Sequence, residues 1–260
     1  MDTEFDKLPT TFRQYTSKPE AIVRFNQDII DATHDLVCAY KPNAAFYEAL
    51  GRDGWDGLFN TIDYIKTNYP DIPIILDAKR GDIGSTNEAY ARAIFDELKA
   101  DAVTVHPYFG WEALKPFLER KDKGIILMAS NSNPGAGEFQ DLPVGDKGEP
   151  LYKVVARQVA TVWNENGNCA VTVGATYPDK ITEVRSVVGD MPLLVLGLGQ
   201  QGGEVEPTIR AAQDSRGWGM IVSSTRAIIY ASRNDDYRKA ARTEAMKLRT
   251  EINGFRLLSK

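Results

Sequence analysis

The chain has little cysteine and little histidine, two residues of each in 260. Two Cys and two His do not readily furnish a structural zinc site. Cys38 and Cys169 each stand inside an apolar run, LVCAY and CAVTV, and read as reduced, buried thiols. A basic excess is lacking too: 31 Lys and Arg face 36 Asp and Glu, for a net charge of −5 and a pI of about 5.2. Binding a polyanion needs surplus cations, so nucleic acid is excluded as a main partner. Apolar runs as short as Leu193–Leu196 exclude a membrane span. The opening Met-Asp-Thr-Glu-Phe-Asp-Lys has neither the basic start nor the apolar core of a signal peptide, so the expected compartment is the cytoplasm. No linker or shift in composition divides the chain, and one domain over 1–260 is expected.

What is present is a rhythm. Short apolar, β-branched runs recur at 36–40, 72–76, 102–105, 124–129, 169–173, 193–198 and 219–223. Such runs suit parallel strands covered on both faces. Between them lie helical stretches, among them Asn87–Leu98, Trp111–Glu119, Leu151–Asn164 and Glu206–Gln213, with Asp235–Asn253 as a closing helix. Strand–helix alternation without a break predicts α/β architecture, a (β/α)8 TIM barrel rather than an open sheet. Seven strands are counted, not eight. A helical segment, Pro19–His34, precedes the first, so one more strand is expected before it, and nothing in Met1–Ser17 reads as one.

Chemistry concentrates after the run IPIIL, in Asp77-Ala-Lys79-Arg-Gly-Asp82-Ile-Gly-Ser-Thr86. The C-terminal ends of parallel strands are where such folds place their sites. Strand alternation puts Asp77 and Lys79 on one face. A lysine held between carboxylates keeps its proton and can deliver it where carbanion character develops. The competing reading is a surface salt-bridge cluster, which four charged residues at one strand end make the weaker. Lys41 follows LVCAY and can reach the same mouth, or it is a snorkelling surface lysine. Ser130–Gly137 (SNSNPGAG) offers hydroxyl, amide and backbone donors suited to a polar ring, or is a plain turn. Gly197–Gly202 matches G-x-G-x-x-G, but no acid ends the next run, GMIVSST, so the dinucleotide reading is rejected. A phosphate cradle of backbone N–H groups paired with Arg226 fits better. His106 reads as a packed strand-end residue. No nucleophile stands near either His, and no His–carboxylate cluster suggests a metal.

These residues resemble a known family. D-A-K-R-G-D-I-G-S-T at 77–86 is similar to the D-x-K-x-x-D-I-x-x-T signature of orotidine 5′-phosphate decarboxylase. FNQDIIDATHDLVCAYKPNAAFYEALG, SNPGAGEFQDL, GLGQQGG and STRAIIYAS resemble its longer, bacterial-type branch. The resemblance implies a (β/α)8-barrel homodimer that needs no cofactor and no metal and converts orotidylate to uridylate. It also implies roles: Lys79 as proton donor to C6, Asp77 beside the departing carboxylate, and Lys41 bridging Asp77 and the ribose. Asp82 and Thr86 would serve the neighbouring subunit's site and Ser132 the pyrimidine edge. Gln201, Gly202, Gly203 and Arg226 would hold the phosphate. Asp2 matches a ribose ligand whose preceding strand is absent here, which implies a first strand missing or truncated. Three rivals remain: a magnesium-dependent sugar-phosphate decarboxylase or aldolase on the same scaffold, a Schiff-base aldolase using Lys79 or Lys41, and a barrel that binds nucleotide without turnover.

Overall fold

The first long helix starts where the sequence supplies a cap. The Ser17 hydroxyl accepts the Glu20 N–H at 3.4 Å and Pro19 sits in the first turn, so α1 runs Lys18–Thr33. In this computed structural model the described residues are 1–256 without Thr16 and 199–202. They form two compact units: 1–78, 94–102 and 225–250 in the first, and 79–93, 103–224 and 251 onward in the second.

In the first unit, α1 buries Ile22, Phe25, Ile29 and Ile30 on one face. α2 (Ala44–Glu48) and α3 (Arg52–Asn68) follow. Gly54 lets them meet, because a Cβ there would lie 1.7 Å from the Tyr47 carbonyl oxygen. Inside this helical layer the buried Asn26 amide donates to the Tyr47 hydroxyl (3.1 Å) and the Thr61 hydroxyl (2.9 Å). It accepts from the Thr3 hydroxyl (2.7 Å), which ties the N-terminal segment down. Two 3-10 turns, Phe5–Lys7 and Thr10–Gln14, occupy that segment. Phe12 packs edge-on to Phe25, with ring centroids 5.7 Å apart, and Phe25 stacks on Tyr237 at 5.8 Å.

Along the chain, β1 (Ile75–Arg80) is followed by α4 (Gly84–Ala91), which continues as a π-helical turn over Arg92–Glu97. Then come β2 (Ala102–Val105), α5 (Gly110–Leu118), β3 (Gly124–Leu127), α6 (Gly137–Gln140) and a small hairpin of β4 (Pro143–Val144) and β5 (Glu149–Pro150). α7 (Leu151–Gln158) runs into a second π turn, Val159–Trp163, before β6 (Cys169–Gly174). α8 (Pro178–Val188), β7 (Leu193–Leu196), α9 (Val205–Ala212), β8 (Met220–Val222), α10 (Arg226–Ile229) and α11 (Tyr237–Phe255) complete the order. The sheet has the order β1-β2-β3-β6-β7-β8, so with the hairpin set aside each strand pairs with the next in sequence. In the second unit, β6 is buried at every position, pairing in parallel with β3 (Ile126 opposite Ala170) and with β7 (Val171 opposite Leu193). The alternation expected from sequence is therefore present.

Three expectations need correction. LVCAY is not a strand: only Tyr40 is bridged, to Ile74, and a further bridge joins Asn43 to Asp77. Cys38 is accordingly exposed rather than buried, unlike Cys169. β1 starts three residues later than IPIIL and carries Asp77–Arg80 within it. Finally, Lys79 has φ +46°, a left-handed conformation for a residue with a side chain, so the period of two does not carry from Asp77 to Lys79. Asp77 is buried and Lys79 exposed.

Candidate functional site

In the first unit the structure joins Lys41 and Asp77. The Lys41 ammonium lies 2.8 Å from Asp77 Oδ2, and both side chains are nearly buried. The carboxylate is positioned by backbone: Asp77 N–H donates to the Pro42 carbonyl at 2.9 Å, beside the Asn43–Asp77 bridge. The irregular run ending in Lys41 thus does the work of a strand at its last residues only. A buried carboxylate facing an ammonium is an ion pair whose two halves depend on each other.

Asp2 is next to this pair in the same unit. The Met1 amino group donates to the Lys41 carbonyl and lies 3.7 Å from Asp2 Oδ1. Burial, first among its influences, holds that amino group down to about 6. Asp2 Oδ1 is buried and accepts no hydrogen bond, its charged neighbour being the Met1 amino group. Tyr230 fixes the segment, its hydroxyl donating to the Asp2 carbonyl at 3.2 Å and accepting the Glu4 N–H at 2.7 Å. Arg226, at the start of α10, is exposed.

In the second unit, Lys79 N–H donates to the fully buried Thr104 hydroxyl at 3.0 Å. Gly81 lies against His106, where a Cβ would come 2.9 Å from the histidine carbonyl oxygen. Burial, and then the Lys79 ammonium, keep the His106 imidazole below its ordinary range. Asp82 and Thr86 are half-buried at the start of α4. Asp82 N–H donates to Asn87 Oδ1 (3.0 Å), and Asp82 Oδ1 accepts the Ile83 N–H (2.7 Å). Ser132 is half-buried on a loop held from below. The Thr172 hydroxyl donates to the Ser130 carbonyl (3.0 Å) and accepts the Ala129 N–H (3.1 Å). A Cβ on Gly174 would meet the Asn131 carbonyl carbon at 2.6 Å, so only glycine allows this approach. Gly203 is bridged to Leu198 and crowds Ala175, whose Cβ lies 2.6 Å from where a Gly203 Cβ would be. Gln201 and Gly202 lie outside the described residues.

Sequence reasoning missed Asn26, Asn87, Thr104, Thr172 and Gly174. Each acts on backbone or on another side chain, and only the Asn87 position, just after the D-I-x-x-T stretch, carried any signal. Among the described residues no three His, Cys, Asp or Glu side chains gather as a metal site, and no helix is long and apolar enough to cross a membrane.

Comparison with known proteins gives a consistent picture. Residues 16–243 match the family described as orotidine 5′-phosphate decarboxylase / HUMPS. A curated protein of Cellvibrio japonicus, named orotidine 5′-phosphate decarboxylase, is 49% identical over 97% of this chain and 91% of its own length. Among solved structures, Leishmania donovani OMP decarboxylase is similar with a TM-score of 0.82 and 36% identity, covering 93% of this chain and 90% of that one. Leishmania donovani UMP synthase is similar with a TM-score of 0.86 and 37% identity over 94% of this chain, which spans 52% of that longer chain. The fold is thus the TIM-barrel-like α/β fold of these structures.

Proposed function

The chain belongs to the orotidine 5′-phosphate decarboxylase / HUMPS family, and from that membership we propose that it decarboxylates orotidine 5′-monophosphate to uridine 5′-monophosphate. The observation that carries this reading is the buried Lys41–Asp77 pair with Lys79 two residues further along β1. The C6–carboxylate bond breaks heterolytically, carbon dioxide leaves, and the electron pair stays on C6. Lys79 then gives its ammonium proton to C6 and recovers it from solvent. The fixed ammonium also stabilises the carbanion as it forms. Asp77, held by Lys41, sits beside the departing carboxylate and raises the energy of the bound substrate relative to the transition state.

In this reading Lys41 and Asp2 take the ribose, and the buried Asp2 Oδ1, which accepts no hydrogen bond, supports the second role. Ser132 takes the pyrimidine edge. Gln201, Gly202, Gly203 and Arg226 hold the phosphate, Arg226 with its charge. The enzyme works as a cytoplasmic homodimer in which Asp82 and Thr86 complete the neighbouring subunit's site, and it needs no cofactor.

Against the rival sugar-phosphate reading, the Cellvibrio, Janthinobacterium and Azoarcus relatives, 46–49% identical, are all named orotidine 5′-phosphate decarboxylase. A direct spectrophotometric assay with orotidylate decides the matter. Turnover unchanged by EDTA is expected. No turnover, or turnover abolished by EDTA, would overturn the proposal.

A further inference from the structure

Asn87 is fully buried, and its side chain has a partner for each hydrogen it can donate. One amide hydrogen goes to the Asp82 carbonyl at 2.6 Å and the other to the Ala113 carbonyl of α5 at 2.7 Å. Its oxygen accepts the Asp82 N–H at 3.0 Å. Rotating the amide by half a turn would set its oxygen against two carbonyls and its NH₂ against an N–H, so the orientation is unique. The main chain of Asn87 is equally fixed, its N–H donating to the Ile83 carbonyl at 2.9 Å within the first turn of α4. Both polar groups of the Asp82 backbone are thereby clamped by one side chain that is itself bolted to a second helix.

The loop gains little rigidity from packing. Ile83 is 60% exposed, and Gly81 and Gly84 flank the Asp82–Ile83 pair with no side chains of their own. Apart from the clamp, residues 81–84 are defined by the Gly81–His106 contact, the Asp82 Oδ1 to Ile83 N–H bond and the main-chain bond from Asn87 N–H to the Ile83 carbonyl. A carboxylate that must be placed to within a fraction of an ångström needs more than that.

We infer that Asn87 is a positioning residue for decarboxylation, acting through Asp82 by fixing its backbone and so the direction of its carboxylate. The inference rests on the proposed role of Asp82 in the reaction. The test is a double-mutant cycle of Asn87→Ala and Asp82→Ala, with kcat and KM for orotidylate and thermal unfolding measured for each protein. Asn87→Ala is expected to lower kcat on the order of 100-fold while KM moves less than about threefold. In the Asp82→Ala background the same change should cost less than about twofold, because there is no carboxylate left to aim. If Asn87→Ala does not accumulate folded, Asn87→Ser, smaller but still polar, enters the same cycle. An equal loss in both backgrounds would make Asn87 a residue of general stability and overturn the inference. Full kcat in the Asp82→Ala single mutant would instead remove the role of Asp82, and this proposal with it, so the two failures are told apart by that one variant.

Discussion

At Asp77 a carboxylate is held in place by an ammonium 2.8 Å away. At Asn131 and Ser132 a loop is held by a strand residue that has no side chain, Gly174. Asp77 is thus fixed by charge, and the 131–132 loop by shape. The two devices fail differently. Halving an ion pair leaves an uncompensated charge in a dry place, whereas filling a glycine contact forces backbone apart. Charge can act directly on a reacting carboxylate, while shape serves only to put other groups where they are needed.

That contrast can be broken most severely at Lys79, a charged group of the second unit. Lys79→Ala should lower kcat at least about 1,000-fold, the loss of both a proton donor and an electrostatic stabiliser. Uridylate affinity, followed by calorimetric titration, should stay within a few-fold of wild type. A variant keeping more than a few per cent of turnover would deny Lys79 its role.

The first unit's device is tested by Lys41→Met, which removes one half of the pair and leaves Asp77 buried. Chemical denaturation should report a loss of about 3 kcal/mol. An unchanged midpoint would mean that other partners of Asp77 hold it without the lysine.

Arg226→Ala sharpens the distinction between charge that binds and charge that reacts. Uridylate binding should weaken by about 2 kcal/mol, as for a lost charge-assisted pair. Uridine, lacking phosphate, should lose far less, and equal losses for both ligands would take Arg226 away from the phosphate.

For the shape-held loop, Gly174→Ala should destabilise by about 1–3 kcal/mol, since its Cβ would meet the Asn131 carbonyl at 2.6 Å. Thermal unfolding measures this, and wild-type stability would show that the loop yields freely. The smallest effect concerns the two thiols. A disulfide reagent at pH 8 should label Cys38 quickly and leave Cys169, buried in β6 and pushed up by burial to about 11. Rapid reaction of two equivalents would contradict the order of exposure.

Much of this molecule was legible beforehand for a definite reason. Six of the seven apolar runs are strands because parallel strands covered on both faces have to be apolar at every position, and that requirement is local. The residues of the site were legible because D-x-K-x-x-D-I-x-x-T compresses several charges into one strand and its exit. LVCAY failed because apolar content does not distinguish a paired strand from a chain joined to its neighbour by isolated bridges at Tyr40 and Asn43.

What the sequence determined by itself is thus the α/β alternation, the family and the identity of the charged groups, all carried by short-range patterns. Tertiary structure alone decided that Lys79 takes a left-handed conformation within β1, that Lys41 finds Asp77, and that Asn87 clamps Asp82 to the helix bearing Ala113. The last two of those outcomes pair groups whose partner is not chosen by local propensity. Lys41 and Asp77 are 36 positions apart and Asn87 and Ala113 are 26 apart. Burial then penalises any polar group left unpaired, and it is the packed chain that settles which groups can meet that demand.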